Sequence, residues 1–252
     1  MSICLVVGAS RGLGFELTKV LREDGHKVFA TIRSEPPEPF PKGVVPIPDI
    51  DLAHEDAGRK IVEGLHGTRL DLVIVNAGVF KKETLDSPSF ADEVEMYKVV
   101  SIAPVFLAHH LYQADLLINP SKFILVTTEG GSITLRTREE GGGNYGHHGS
   151  KAAANMVGKL LAHDLYDRGV TVTMVHPGFM KTDMTKAVGF DQFYESGGAV
   201  EPSEAARSLI EFIYRITPEH TGTFWAPRGP GDIGEAERVL GKYLPRPLQL
   251  PW

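Results

Sequence analysis

The run Gly8-Ala9-Ser10-Arg11-Gly12-Leu13-Gly14 restricts the possible folds more than any other part of this chain. It follows a short apolar run, Ile3–Val7, and opens a stretch with Leu13, Leu17, Val20 and Leu21 on one helical face and Gly25 as its stop. Glycines here permit a tight turn from a buried strand into a helix. They also let backbone N–H groups at the helix N-terminus approach an anion closely. A plain turn would use glycines too, but this placement at the first strand-to-helix junction points to a pyrophosphate-binding loop, with Gly8, Ser10, Arg11, Gly12, Leu13 and Gly14 facing a dinucleotide.

The rest of the chain repeats the same alternation, which predicts right-handed βαβ units and a parallel sheet. Strands are predicted at 27–32, 44–47, 70–75, 123–126, 170–175 and 223–226, and helices at 53–65, 93–117, 148–168 and 202–216. Six prolines between residues 34 and 48 leave a short helix or none before strand three. The stretch 129–146 reads as a glycine-rich loop, 184–200 as a lid, and 227–252 as a Pro/Gly-rich tail on the surface. Residues 1–252 carry no repeat or linker, so the expectation is a single NAD(P)-binding domain. Its class would be α/β: a Rossmann-type doubly wound parallel sheet in three layers, α/β/α.

Composition excludes several alternatives. A net charge of −6 gives no basic face for a nucleic acid. A single cysteine allows no internal disulfide, and the apolar start is too short for a signal peptide or a membrane span. The expectation is a soluble cytoplasmic protein acting on a small molecule, with no membrane partner. The histidines and Cys4 lack metal-ligand spacing, so no metal site is expected. After the second strand comes Phe29-Ala30-Thr31-Ile32-Arg33-Ser34, with no acid to grip a ribose 2′-hydroxyl. Arg33 and Arg11 instead suit a 2′-phosphate, which points to NADP(H).

Further motifs follow in order. Asp51-Leu52 lies after strand three, Asn76-Ala77-Gly78 after strand four, Ser150-Lys151-Ala152-Ala153 on a helix, and Pro177-Gly178 after strand six, with Thr182 beyond. With the glycine loop, these make residues 3 to about 226 resemble the short-chain dehydrogenase/reductase family. The resemblance implies that Asp51 and Leu52 contact the adenine, that Asn76, Ala77 and Gly78 back the cofactor, and that Pro177, Gly178 and Thr182 orient the nicotinamide. It also implies that Lys151 holds the ribose, and that the helices 93–117 and 148–168 form a homodimer.

The catalytic set departs from the family. Four residues before Lys151, where the family has tyrosine, stands His147. Thr128 takes the place of its serine and Val100 that of its asparagine, while Tyr145 lies two residues too early. Thr128 keeps a hydroxyl and Lys151 keeps its ammonium. A neighbouring cation should leave His147 neutral. The expected activity is therefore an NADPH-dependent oxidoreductase acting on a carbonyl/alcohol pair of a medium-sized substrate, with Thr128, His147 and Lys151 catalytic. The alternatives are a non-redox dehydratase, isomerase or cyclase, or an NADP(H)-binding regulatory protein. Phe179, Met180, Phe193 and Tyr194 would line an apolar pocket or form the core of the lid. His148 reads as surface, His176 as a satisfied strand-end residue, and His109 and His110 as facing a partner subunit or solvent.

Overall fold

The computed structural model describes residues 1–252, except for the side chains of Ile118 and Asp232. Its strands are β1 (Ile3–Val7), β2 (Lys27–Thr31), β3 (Val44–Ile47), β4 (Leu70–Val75), β5 (Leu117–Val126), β6 (Val170–Val175), β7 (Thr223–Ala226) and β8 (Leu248–Gln249). Its helices are α1 (Gly12–Glu23), α2 (Ala57–Leu65), α3 (Phe90–Tyr97), α4 (Ala103–Gln113), α5 (Tyr145–Asp164), α6 (Asp183–Ala187), α7 (Pro202–Arg215) and α8 (Ala236–Leu240). The strands form one sheet in the order β3-β2-β1-β4-β5-β6-β7-β8, parallel except for the last pair.

Side chains alternate across this sheet, so both faces are apolar and both are covered. Leu5 and Val7 pack with α2, α4 and α5, whereas Cys4 and Val6 pack with α1 and α7. The chain runs outward from β1 through β2 to β3, then returns to β4 on the other side of β1. Loops leaving β1 and β4 therefore diverge and open a crevice at the carboxyl ends of the strands, where ligands bind in such sheets. Among the described residues no helix is long and apolar enough to cross a membrane.

Strands β1, β3, β4, β6 and β7 fall at their predicted bounds, and several helices do not. Helix α2 starts at Ala57 rather than residue 53, because the Asp51 carboxylate accepts from the Ala53 N–H at 2.9 Å and holds a turn there. The single helix expected over 93–117 is two. It begins earlier, at Phe90, capped by the Ser89 hydroxyl, which accepts from the Asp92 N–H. Pro104 has no N–H for the Val100 carbonyl, and the ladder widens into a π-turn at Lys98–Ile102 before α4. Helix α4 stops at Gln113, where Asp115 turns left-handed with φ 54° and the Leu116 N–H reaches back to the Leu111 carbonyl. Leu117 thus belongs to β5, not to a helix.

Helix α5 begins at Tyr145 rather than His148, which brings His147 onto its first turn. The tail docks on the body of the protein. Strand β8 pairs with β7, Leu248 and Leu250 are buried, and Trp252 stacks on Phe224 with ring centroids 6.0 Å apart.

The glycine turn tolerates no added carbon. A Cβ at Gly14 would lie 2.0 Å from the Gly8 carbonyl oxygen, and one at Gly8, whose φ is +84°, would lie 2.6 Å from the Ala77 Cα. Gly14→Ala should therefore lower the stability by about 1–3 kcal/mol, seen as a lower urea midpoint with an unchanged slope. An unaltered midpoint would mean that the turn relaxes freely.

Candidate active site

The end of β1 is bolted to the end of β4. The Asn76 side-chain amide donates to the Gly8 carbonyl at 3.0 Å, the Asn76 and Ala77 N–H groups both donate to Val7, and the Thr31 hydroxyl accepts from the Gly8 N–H. Helix α1 starts from this turn with no side chain capping it and no acid in its first turn, so its positive end faces the crevice. Beside it runs a groove of about 210 Å³ lined by Gly8, Ser10, Arg11, Arg33, Ser34, Asp51, Leu52, Asn76, Ala77 and Gly78, among others. Ser10 accepts from the Arg33 N–H at 3.3 Å, tying the exposed Arg33 to the glycine loop. The Asp51 carboxylate is used on its own turn.

The groove opens at Arg11, Asn76 and Gly78 into a cleft of about 780 Å³. Thr128, His147, Lys151, Pro177, Gly178 and Thr182 all reach this cleft, with Gly12 and Leu13 at its inner end. The sequence-predicted site residues thus lie along one continuous surface. The cradle suits a dinucleotide: uncapped N–H groups and two arginines face the narrow end, and a buried lysine faces the wide end.

Lys151 is buried and donates to the Val126 carbonyl at 2.8 Å. Burial pulls its pKa down to about 8. The Thr128 hydroxyl accepts from the Gly130 N–H at 3.3 Å, which leaves its own proton to donate. Gly130 and Gly131 let this loop lie directly on α5: added Cβ atoms would come within 2.8 Å of the His148 ring and of the Lys151 backbone, respectively.

His147 stacks on Phe80 with centroids 3.8 Å apart and planes at 16°. Its Nδ1 is enclosed without a hydrogen-bond partner among the described residues. Burial, then the charge of Lys151, pushes its pKa down to about 2, so the ring is neutral at physiological pH. His148 also lines the cleft, rather than the surface as expected, and burial and the nearby Arg136 hold it to about 4.

Other expected residues divide. Phe179, Met180 and Phe193 line the cleft. Tyr194 lies in the lid core, its hydroxyl donating to the Thr182 carbonyl at 3.2 Å. The Thr182 hydroxyl caps α6. Tyr145 is exposed and takes no part in the cleft lining, so it does not stand in for the missing phenol. Val100 sits buried in the π-turn, where it offers no polar group. His176 is buried at the cleft wall. His110 packs on Gly58 of α2 rather than on solvent. Among the described residues no group of three or more His, Cys, Asp or Glu is placed to hold a metal.

Two participants were not legible in the sequence. Phe80 sits two residues beyond the Asn-Ala-Gly motif, and only that proximity hinted at it. Glu83 is a buried acid whose carboxylate accepts from the Gly146 N–H at 2.6 Å.

A family model described as short chain dehydrogenase matches residues 2–192. A 1-hydroxy-2-glutathionyl-2-methyl-3-butene dehydrogenase of Rhodococcus sp. strain AD45 is 31% identical over 226 residues, covering 89% of this chain and 96% of the relative. An uncharacterized oxidoreductase of Saccharomyces cerevisiae is 28% identical over 87% of this chain and 93% of its own length. Among solved structures, NADPH-bound carbonyl reductase from chicken fatty liver superposes with a TM-score of 0.73 at 23% identity, over 90% of this chain and 96% of that one. The carbonyl reductase Sniffer of D. melanogaster gives 0.75 at 21%, over 100% and 99%.

The enclosed imidazole should make the fold sensitive to acid. Unfolded, His147 would titrate near 6.5, whereas folded it stays neutral down to about 2, so the unfolded chain takes up the extra proton. Stability is lost as pH falls below 6.5, by about 2 kcal/mol between pH 7 and pH 5 for this group. His148 adds a parallel loss. Urea midpoints measured across this range should therefore fall less steeply for His147→Asn than for the parent, and equal slopes would contradict the enclosure of the ring.

Proposed function

The chain belongs to the short-chain dehydrogenase family and is an oxidoreductase, and we propose that it works with NADP(H) on the carbonyl/alcohol pair of a medium-sized, largely apolar organic substrate. The observation that carries this reading is that the Thr128 hydroxyl, the His147 ring and the Lys151 ammonium meet in one cleft, continuous with the glycine-loop groove. Bound NADPH would supply the hydride. The groups that would hold it are the first turn of α1, Arg11, Arg33, Asp51, Leu52, Asn76, Ala77 and Gly78 along the groove, and Lys151, Pro177, Gly178 and Thr182 at the wide end. The choice of NADP(H) rests on Arg11 and Arg33, with support from the NADPH-bound structural neighbour.

In this reading Thr128 donates its hydroxyl proton in a hydrogen bond to the substrate carbonyl oxygen. His147, kept neutral, stands beside it as an N–H donor rather than as an imidazolium, in the position where the family has tyrosine. Lys151 holds the ribose and adds positive charge near the oxygen as it gains electrons. Phe80, Phe179, Phe190 and Phe193 give the cleft an aromatic wall that excludes water and favours an apolar substrate. Residues 1–252 act as one cytoplasmic domain. Exposed Val105 and Phe106 on α4, with Met156 and Leu160 on α5, support a homodimer through these helices.

A second reading, a non-redox enzyme on the same scaffold, is favoured by the apolar Val100, which leaves no polar relay where redox turnover would need one.

Titration of the purified protein by fluorescence should give NADPH binding tighter than NADH. Arg33→Ala should weaken NADPH binding by roughly tenfold or more while leaving NADH nearly unchanged. Substrate-dependent NADPH consumption should disappear in His147→Ala. Equal affinity for the two nucleotides would remove the phosphate assignment, and no binding of either would remove the dinucleotide site.

A further inference from the structure

Helix α5 carries both His147 and Lys151, so the position of its first turn sets the width of the cleft. That turn has no cap of its own. Asn144, which precedes it, is left-handed at φ 51°, and its side chain bonds none of the helix N–H groups. The turn is held from outside, by the segment that follows β4. There the Glu83 carbonyl accepts from the Asn144 N–H at 2.9 Å, and the Glu83 carboxylate accepts from the Gly146 N–H at 2.6 Å. The same carboxylate reaches the Ser89 N–H at 3.4 Å. Glu83 is 4% exposed, unusual for an acid, and no Lys or Arg is ion-paired to it among the described residues.

A Cβ on Gly146 would lie 2.3 Å from the Met96 Cε, 2.9 Å from the Glu83 Oε2 and 3.0 Å from the Glu93 Cγ, so the turn is packed tightly on the face toward these residues. Glu93 is the other titratable group facing it, and burial and the charge of Glu83 raise its pKa. His147 is the next residue along, and its ring lies on Phe80, which belongs to the same segment as Glu83.

We infer that Glu83 is a positioning residue: its carboxylate, placed against the positive end of α5, fixes the first turn so that His147 stacks on Phe80 and faces the cleft with Thr128 and Lys151. Charge on an acceptor at a helix N-terminus strengthens the hydrogen bond and meets the helix dipole. A displacement of about 1 Å in such a group costs on the order of a hundredfold in rate. The inference rests on the proposed role of His147 in the cleft, but the position of the ring can be read without turnover.

The test compares Glu83→Ala, Glu83→Gln and Glu83→Asp with the parent protein. The first readout is the NMR shift of the His147 ring protons, assigned by their loss in His147→Asn and displaced upfield by the Phe80 ring. The second is kcat and KM for carbonyl reduction, with NADPH affinity measured alongside. Glu83→Ala should return the ring protons toward the free-histidine position and lower kcat by about 10- to 100-fold, with NADPH affinity held within about twofold. Glu83→Gln keeps an acceptor of the same reach and should restore both. Should Glu83→Ala fail to fold, Glu83→Asp takes its place, because it keeps the charge but falls short of Gly146. An unmoved ring shift in the folded alanine or aspartate variant overturns the positioning role, whatever the activity. A shifted ring with an unchanged kcat leaves Glu83 in place and removes His147 from the chemistry.

Discussion

The architecture turns on one close approach, that of the β1 turn to the end of β4. The Gly8 carbonyl is held by the Asn76 amide; a side chain on Gly14 would strike that contact, and one on Gly8 would strike Ala77 beside it. Because the sheet order reverses at β1, this bolt sits where the crevice opens. It fixes the start of α1, whose uncapped N–H groups face the groove, and it sets the path of the segment running on to Phe80 and Glu83. The narrow end of the site and the wall behind His147 are thus two consequences of the same packing.

The wide end depends on burial rather than on charge pairing. Lys151 and His147 share an enclosed region, and each loses proton affinity to desolvation first. A cationic lysine beside a neutral imidazole is the stable combination at neutral pH. This arrangement suits a site that stabilises developing negative charge by hydrogen bonds and a fixed ammonium. It does not suit one that delivers a proton from an imidazolium. The absence of a phenol at position 147 and of a polar group at position 100 therefore changes the route by which protons arrive more than the place where a substrate would sit.

Much of this was legible in the residues. The first strand, the glycine turn and the apolar runs at β4 and β6 could be placed to the residue, because a buried parallel strand leaves an unbroken hydrophobic signature. The cleft residues Thr128, His147 and Lys151 were found through the family resemblance, as the residues standing where that family has its serine, tyrosine and lysine. What escaped was set by contacts distant in sequence. The break between α3 and α4 needed attention to the missing N–H of Pro104, and the early start of α5 depends on Glu83, more than sixty residues away. The stack of Phe80 on His147 has no periodic signal. Tyr145 illustrates the opposite limit: it is next but one to His147, yet it faces solvent because helical neighbours two apart point in different directions.

The chemistry of this site turns on whether hydride passes through the cleft. The direct measurement is to incubate the protein with a candidate carbonyl compound and NADPH deuterated at C4 of the nicotinamide, on one face or the other, and to weigh the product. Hydride transfer in the cleft should place one deuterium on the carbinol carbon from one of the two labelled faces and none from the other, and the Lys151→Met and His147→Ala proteins should lose it. Turnover of the substrate with no deuterium gained from either face, and label entering only from deuterated water, would contradict it and leave acid/base chemistry as the work of this site.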